Sequence, residues 1–216
     1  MLMRLFPILL LSLSLGVGGC ASNEKIQAAR HLQGTSCCRS YQDLPYSDLL
    51  NAKTVRVEID IDAPVFDFPE GASRFAAFRL PEAGQTGYIR LKTTIVGIYM
   101  PDAFVFFPAV TLLDAGYRRI QFVEPELRFE RVFLAPTESQ GWVADVRIPP
   151  SARYVLIHTP SAKVGTKLHY QEGVTTPSGS VVPAGKLVLF MPGNWWDVYL
   201  PAAGAGRFEI ELRGAE

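Results

Sequence analysis

Thr54-Val-Arg-Val-Glu-Ile-Asp-Ile-Asp62 alternates apolar and charged residues without a break. Side chains along a strand point to opposite faces in turn, so Val55, Val57, Ile59 and Ile61 share an apolar face. Arg56, Glu58, Asp60 and Asp62 share a charged one. The same signature closes the chain, where Phe208, Ile210 and Leu212 alternate with Arg207, Glu209, Glu211 and Arg213. If these first and last strands pair, Arg207 or Arg213 sits opposite the acidic row. Between them, Ile89, Leu91 and Ile95 form one inward row, and Trp142, Ala144, Val146 and Ile148 another.

Three further runs read as strands buried on both faces: Phe104–Phe107, Tyr154–Ile157 and Leu187–Met191. They are short, rich in β-branched and aromatic residues, and bounded by Pro or polar turns. Turn signals recur at Pro81–Gly84, Ser139–Gly141, Pro149–Pro150, Pro177–Gly179 and Pro192–Asn194. Many short strands at this spacing predict an all-β chain, a β-sandwich of immunoglobulin or jelly-roll type. It fills residues 53–216.

The residues before it carry an address. Met1–Arg4 has one positive charge, Leu5–Leu15 is apolar, and Gly16, Gly18 and Gly19 are small. This is the pattern of a secretory signal over residues 1–19. The uncharged run Leu5–Gly19 is shorter than the roughly 20 residues of a membrane-spanning helix. Val17-Gly18-Gly19-Cys20 resembles a bacterial lipobox, in which the cysteine is lipidated and becomes the mature N-terminus. Several acyl chains on Cys20 hold a protein firmly to a bilayer. Ala21 rather than Asp follows it, which favours the outer membrane. Residues 20–52 are then the lipidated N-terminus and tether. Ser22 caps a short helix over Glu24–Leu32, Gly34 stops it, and residues 39–52 carry enough apolar surface to pack onto the domain.

Of the three cysteines, Cys37 and Cys38 are neighbours. An exported pair invites a disulfide. Adjacent Cα atoms lie about 3.80 Å apart, below the usual span of a disulfide, so a bridge between neighbours is strained. Two readings stand: a local cross-link or two buried thiols near the tether, or a redox contact or intermolecular bridge.

Pro64-Val-Phe-Asp-Phe-Pro-Glu-Gly71, Phe75-Ala-Ala-Phe-Arg-Leu-Pro81 and Phe107-Pro-Ala-Val-Thr-Leu-Leu-Asp114 resemble the MalM-type maltose operon periplasmic proteins. Arg153–Thr159 and Gly206–Leu212 fall in the order expected of that family, so the resemblance covers residues 41–213. It implies an exported β-rich domain linked to carbohydrate uptake. It supplies no catalytic motif.

The chemistry legible in the residues points the same way. The chain of 216 residues carries 21 basic and 21 acidic side chains, with no basic block to attract nucleic acid. No G-x-S-x-G, H-E-x-x-H or P-loop occurs, so the expectation is a non-enzyme without cofactor or metal. His158 ends an apolar strand and reads as structural. Glu58, Asp60 and Asp62 could offer oxygen ligands to Ca²⁺, but a single strand spaces them about 7 Å apart, and a solvated charged face is the plainer reading. Asn194-Trp195-Trp196-Asp197, after the Pro192-Gly193 turn, is the candidate ligand surface. Either both Trp pack at a sandwich end, or one enters the core while the other reaches a surface, where flat aromatic rings suit a sugar or a protein partner. Tyr199 joins Trp195 on one face if the strand runs on through Asp197 and Val198. The expected function is a lipid-anchored, periplasm-facing accessory protein that binds a glycan or an envelope protein. The alternative is a structural or assembly lipoprotein with protein partners only.

Overall fold

The computed structural model describes residues 36–49, 54–60, 62–81, 87–97, 103–130, 141–173 and 195–214; the side chains of 170–173 and 195–196 lie outside that description. Among the described residues the regular elements are strands and two short 3₁₀ turns, Tyr41–Asp43 and Ser161–Lys163. The signal segment, Cys20 and the expected tether helix at 24–32 lie outside the described residues, as does the strand expected at 187–191.

Two sheets carry the fold, with strands numbered in chain order. The first runs β1 (Tyr46–Asp48), β4 (Gly71–Arg79), β11 (Tyr154–His158), β7 (Ala109–Leu113), β8 (Arg119–Val123), and β3 (Val65–Phe68) also pairs with β4. The second runs β12 (Lys167–Gly173), β13 (Trp195–Ala203), β6 (Phe104–Phe106), β5 (Gly87–Val96), β10 (Gly141–Ile148), β9 (Arg128–Glu130). To it belong β14 (Gly206–Gly214), paired with β5, and β2 (Val55–Ile59), paired with β14. Both sheets are mixed, because β1 runs parallel to β4 and β13 parallel to β6.

The alternating first and last strands do pair. Glu58 lies opposite Arg207 and Arg56 opposite Glu209 in the antiparallel register. The apolar partners of that register, Ile59, Phe208 and Ile210, turn into the core. The first strand ends at Ile59 rather than Asp62, because Asp60 turns the chain: its Oδ1 accepts the Asp62 N–H at 2.9 Å. Such a side-chain bond competes with the ladder for the backbone.

The main core lies between the sheets. Phe78, Val110, Leu112, Val155 and Ile157 from the first meet Ile89, Leu91, Val146, Phe208 and Ile210 from the second. The first sheet is buried on its other face too. There Phe75, Ala77, Leu113 and Leu156 are covered by Leu44, Phe66 and Phe68. That cover is β3 together with residues 36–49, which run as a strap over the sheet. Cys37 N donates to Val65 O at 2.8 Å and Leu49 N to Arg79 O at 2.9 Å, fastening the strap at both ends. Double coverage explains why β7 and β11 are nearly continuous apolar runs. A third cluster holds Trp142 with Val105, Val198 and Leu200. Trp142 is buried in the inward row it was expected to share with Ala144, Val146 and Ile148, and at its end of β10 it packs on Phe129 of β9 at 4.9 Å.

One glycine has a demanding place. Gly206 opens β14 at φ +143°, and an added Cβ would lie 3.0 Å from Cβ of Phe106. No L side chain enters that position without moving the β6 backbone.

Candidate functional site

Cys20 and Asn194 lie outside the described residues, and so do the side chains of Trp195 and Trp196. The backbone of both tryptophans belongs to β13, in register with Gly173 and Glu172 of β12. The strand does continue through Asp197 and Val198. Asp197 and Tyr199 are exposed whereas Val198 and Leu200 are buried, so the alternation is clean. Across the hairpin His169 pairs with Tyr199, and its ring centroid lies 4.9 Å from the tyrosine ring. His169 Nε2 is 2.8 Å from Asp197 Oδ1. Tyr199 is 56% exposed. The hairpin thus presents a flat ring beside a hydrogen-bonding imidazole and carboxylate.

His158 has a different environment. It is fully buried at the end of β11, with its ring stacked on Phe68 at 3.8 Å and the Phe122 ring at 5.9 Å. Its Nε2 lies 3.3 Å from Thr111 Oγ1, and Nδ1 has no partner among the described residues. Burial, and then the positive Arg119 nearby, lower its pKa to about 3. A neutral imidazole sealed between aromatic rings is a packing group.

The acidic row is a solvated face. Glu58 Oε1 receives Arg207 Nε at 3.1 Å and Glu209 Oε1 receives Arg56 Nε at 3.0 Å, all on the outer side of the sheet. No group of three or more metal-ligating side chains forms among the described residues. Cys37 and Cys38 are joined to each other by a disulfide across one peptide unit. The bridge sits at the start of the strap, where Cys38 packs against the Phe66 and Phe68 cluster.

Beside that bridge lies a feature that no contiguous stretch of sequence announces. Strap residues 39–42, the end of β3 and the turn between β7 and β8 enclose a cleft of about 540 Å³. Tyr41, Phe66 and Phe68 form its aromatic side, with Tyr41 5.2 Å from Phe66. Arg39, Gln42 and Asp67 line it as exposed polar groups. Tyr117 closes the third side and has φ +60°. A bulky residue in that left-handed region costs on the order of 1–3 kcal/mol and persists only when its surroundings hold it. Here Asp114 does the holding: its Oδ1 accepts the N–H groups of Gly116 and Arg118 at 2.8 and 2.9 Å. Those bonds, led by the one from Arg118, keep the Asp114 carboxyl below the usual range. The Tyr117 ring stacks on Tyr154 at 4.5 Å, and their hydroxyls are hydrogen-bonded at 3.0 Å. Asp114-Ala-Gly116 is a turn signal in the sequence; that its next residue is left-handed is not.

A second cleft, of about 370 Å³, lies along β2 and β14 between the two ion pairs Arg56–Glu209 and Arg207–Glu58. Its charged groups are already satisfied by one another. No family model, curated protein or solved structure matches the chain.

Proposed function

We propose that the chain is an outer-membrane lipoprotein of MalM-like type, anchored through Cys20 and facing the periplasm. Its two-sheet domain, a sandwich of immunoglobulin or jelly-roll type on a short helical tether, acts as a non-enzymatic accessory of the cell envelope linked to carbohydrate transport. The signal Met1–Gly19 ending in Val17-Gly18-Gly19-Cys20 supports the anchor. The resemblance of residues 41–213 to the MalM family supports the envelope role.

The observation that carries the binding part of this reading is the hairpin face. Asp197 and Tyr199, on the strand that Trp195 and Trp196 begin, form an exposed polar-aromatic row with His169 of the neighbouring β12. His158 is sealed in the core and is out of reach of any ligand. The test is intrinsic tryptophan fluorescence of the full chain, titrated with maltodextrins and a panel of envelope glycans. A saturable change lost in Trp195→Ala, Trp196→Ala or Tyr199→Ala is the expected result. A flat response from folded protein rejects the glycan and leaves the assembly lipoprotein, with protein partners only, as the reading to pursue by cross-linking.

A further inference from the structure

Concave sites of about 300–1,000 Å³ lined by aromatic groups and a few convergent polar ones are where small ligands bind. The cleft beside the strap falls in that size range at about 540 Å³ and opens widely to solvent. Its construction is rigid on each side. The strap is tied by Cys37 N to Val65 O, and its turn is held by Asp43, whose Oδ2 accepts the Ser40 N–H at 3.0 Å. The opposite side is the Tyr117 turn, fixed by Asp114 and by stacking on Tyr154. A preorganised cleft loses little freedom when a ligand enters.

The lining selects the ligand class. Arg39 and Asp67 bring one charge of each sign, so neither an anion nor a cation is favoured. Gln42, exposed on the cleft, both donates and accepts, which matches groups that do the same. The rings of Tyr41 and Tyr117 offer flat apolar surface beside it. Sugar rings combine an apolar C–H face with hydroxyls that donate and accept.

We infer that the cleft between Arg39–Gln42, Phe66–Pro69 and Gly116–Tyr117 binds a neutral saccharide. This rests on the binding-module reading and adds to its exposed hairpin face a second, concave site with a stated ligand class. The ligand enters without covalent change, with its ring against Tyr41 and Tyr117 and its hydroxyls toward Gln42 and Asp67.

The test is calorimetric titration of the purified full chain with maltotriose, cellotriose and chitotriose. Saturable binding of at least one is expected, weakened about tenfold or more in Asp67→Ala and in Tyr117→Gly. Tyr117→Gly removes the ring while keeping a residue that accepts positive φ. Gln42→Ala, at an exposed position, guards against loss of fold and is expected to weaken binding as well. Binding lost in Tyr199→Ala and kept in the cleft variants overturns the cleft while preserving a glycan-binding domain. No heat with any of the three sugars from folded protein overturns the saccharide assignment, and the membrane anchor is judged separately by fractionation.

Discussion

Acid should unfold this protein through a single buried histidine. His158 is neutral, sealed by Phe68 and Phe122, with Thr111 on its Nε2. The charged groups nearby are Arg119, which opposes protonation, and Glu70, which holds Arg119 at 2.6 Å. The folded-state pKa is lowered to about 3 from the ordinary 6.5. The unfolded chain therefore takes up a proton below pH 6.5 that the folded chain refuses. Stability from this group is complete above pH 6.5 and is lost as pH falls toward 3. Each pH unit in that window costs about 1.4 kcal/mol, so pH 4.5 removes about 3 kcal/mol relative to pH 7. With a urea slope of about 2 kcal/mol per molar, that moves the unfolding midpoint by about 1–2 M. The assay is urea unfolding of the wild type and His158→Gln at pH 7.0 and 4.5. The variant is less stable at neutral pH, but its acid-induced shift should be smaller than wild type by about 1–2 M. Carboxylates protonate in both chains and cancel in that difference. Equal shifts in the two proteins would refute a neutral, buried His158.

Other outcomes follow from single positions. Gly206→Ala introduces a Cβ 3.0 Å from Phe106 at φ +143° and should destabilise by about 1–3 kcal/mol, read as a lower melting temperature. The Cys37–Cys38 bridge spans neighbouring residues, so it removes almost no chain entropy from the unfolded state. Reduction should leave the urea midpoint nearly unchanged, while alkylation before and after reduction reveals the two thiols by mass. Glu58→Ala breaks an exposed pair with Arg207 and should cost less than about 1 kcal/mol; added Ca²⁺ should leave the wild-type melting temperature unmoved, as a solvated face predicts.

The strands with strict alternation were the most legible part of the fold. Arg56, Glu58, Arg207 and Glu209 are read from the sequence as one charged face, and their cross-strand pairing follows from the register of β2 and β14. The run of β11 shows its double burial in composition, but not what covers its second face. That cover comes from the strap and β3, whose pairing with distant strands has no local code. The parallel contacts β1–β4 and β13–β6 are hidden for the same reason. Trp142 shows the limit of alternation, which gives a side but not which of two clusters lies on it. In the sites, the step from Asp197 to Tyr199 was visible once the strand continued. The cleft was not, because Gln42, Asp67 and Tyr117 come from three separate segments, and a left-handed tyrosine leaves no sequence mark.

The central claim is a lipid-anchored envelope protein, and mass spectrometry of the N-terminal peptide from fractionated cells tests it most directly. The account predicts a peptide beginning at an acylated Cys20 in the outer-membrane fraction, with Cys20→Ala released or mislocalised. An unmodified N-terminus in the soluble fraction, or a Cys20→Ala variant still processed and retained in the outer membrane, would contradict it.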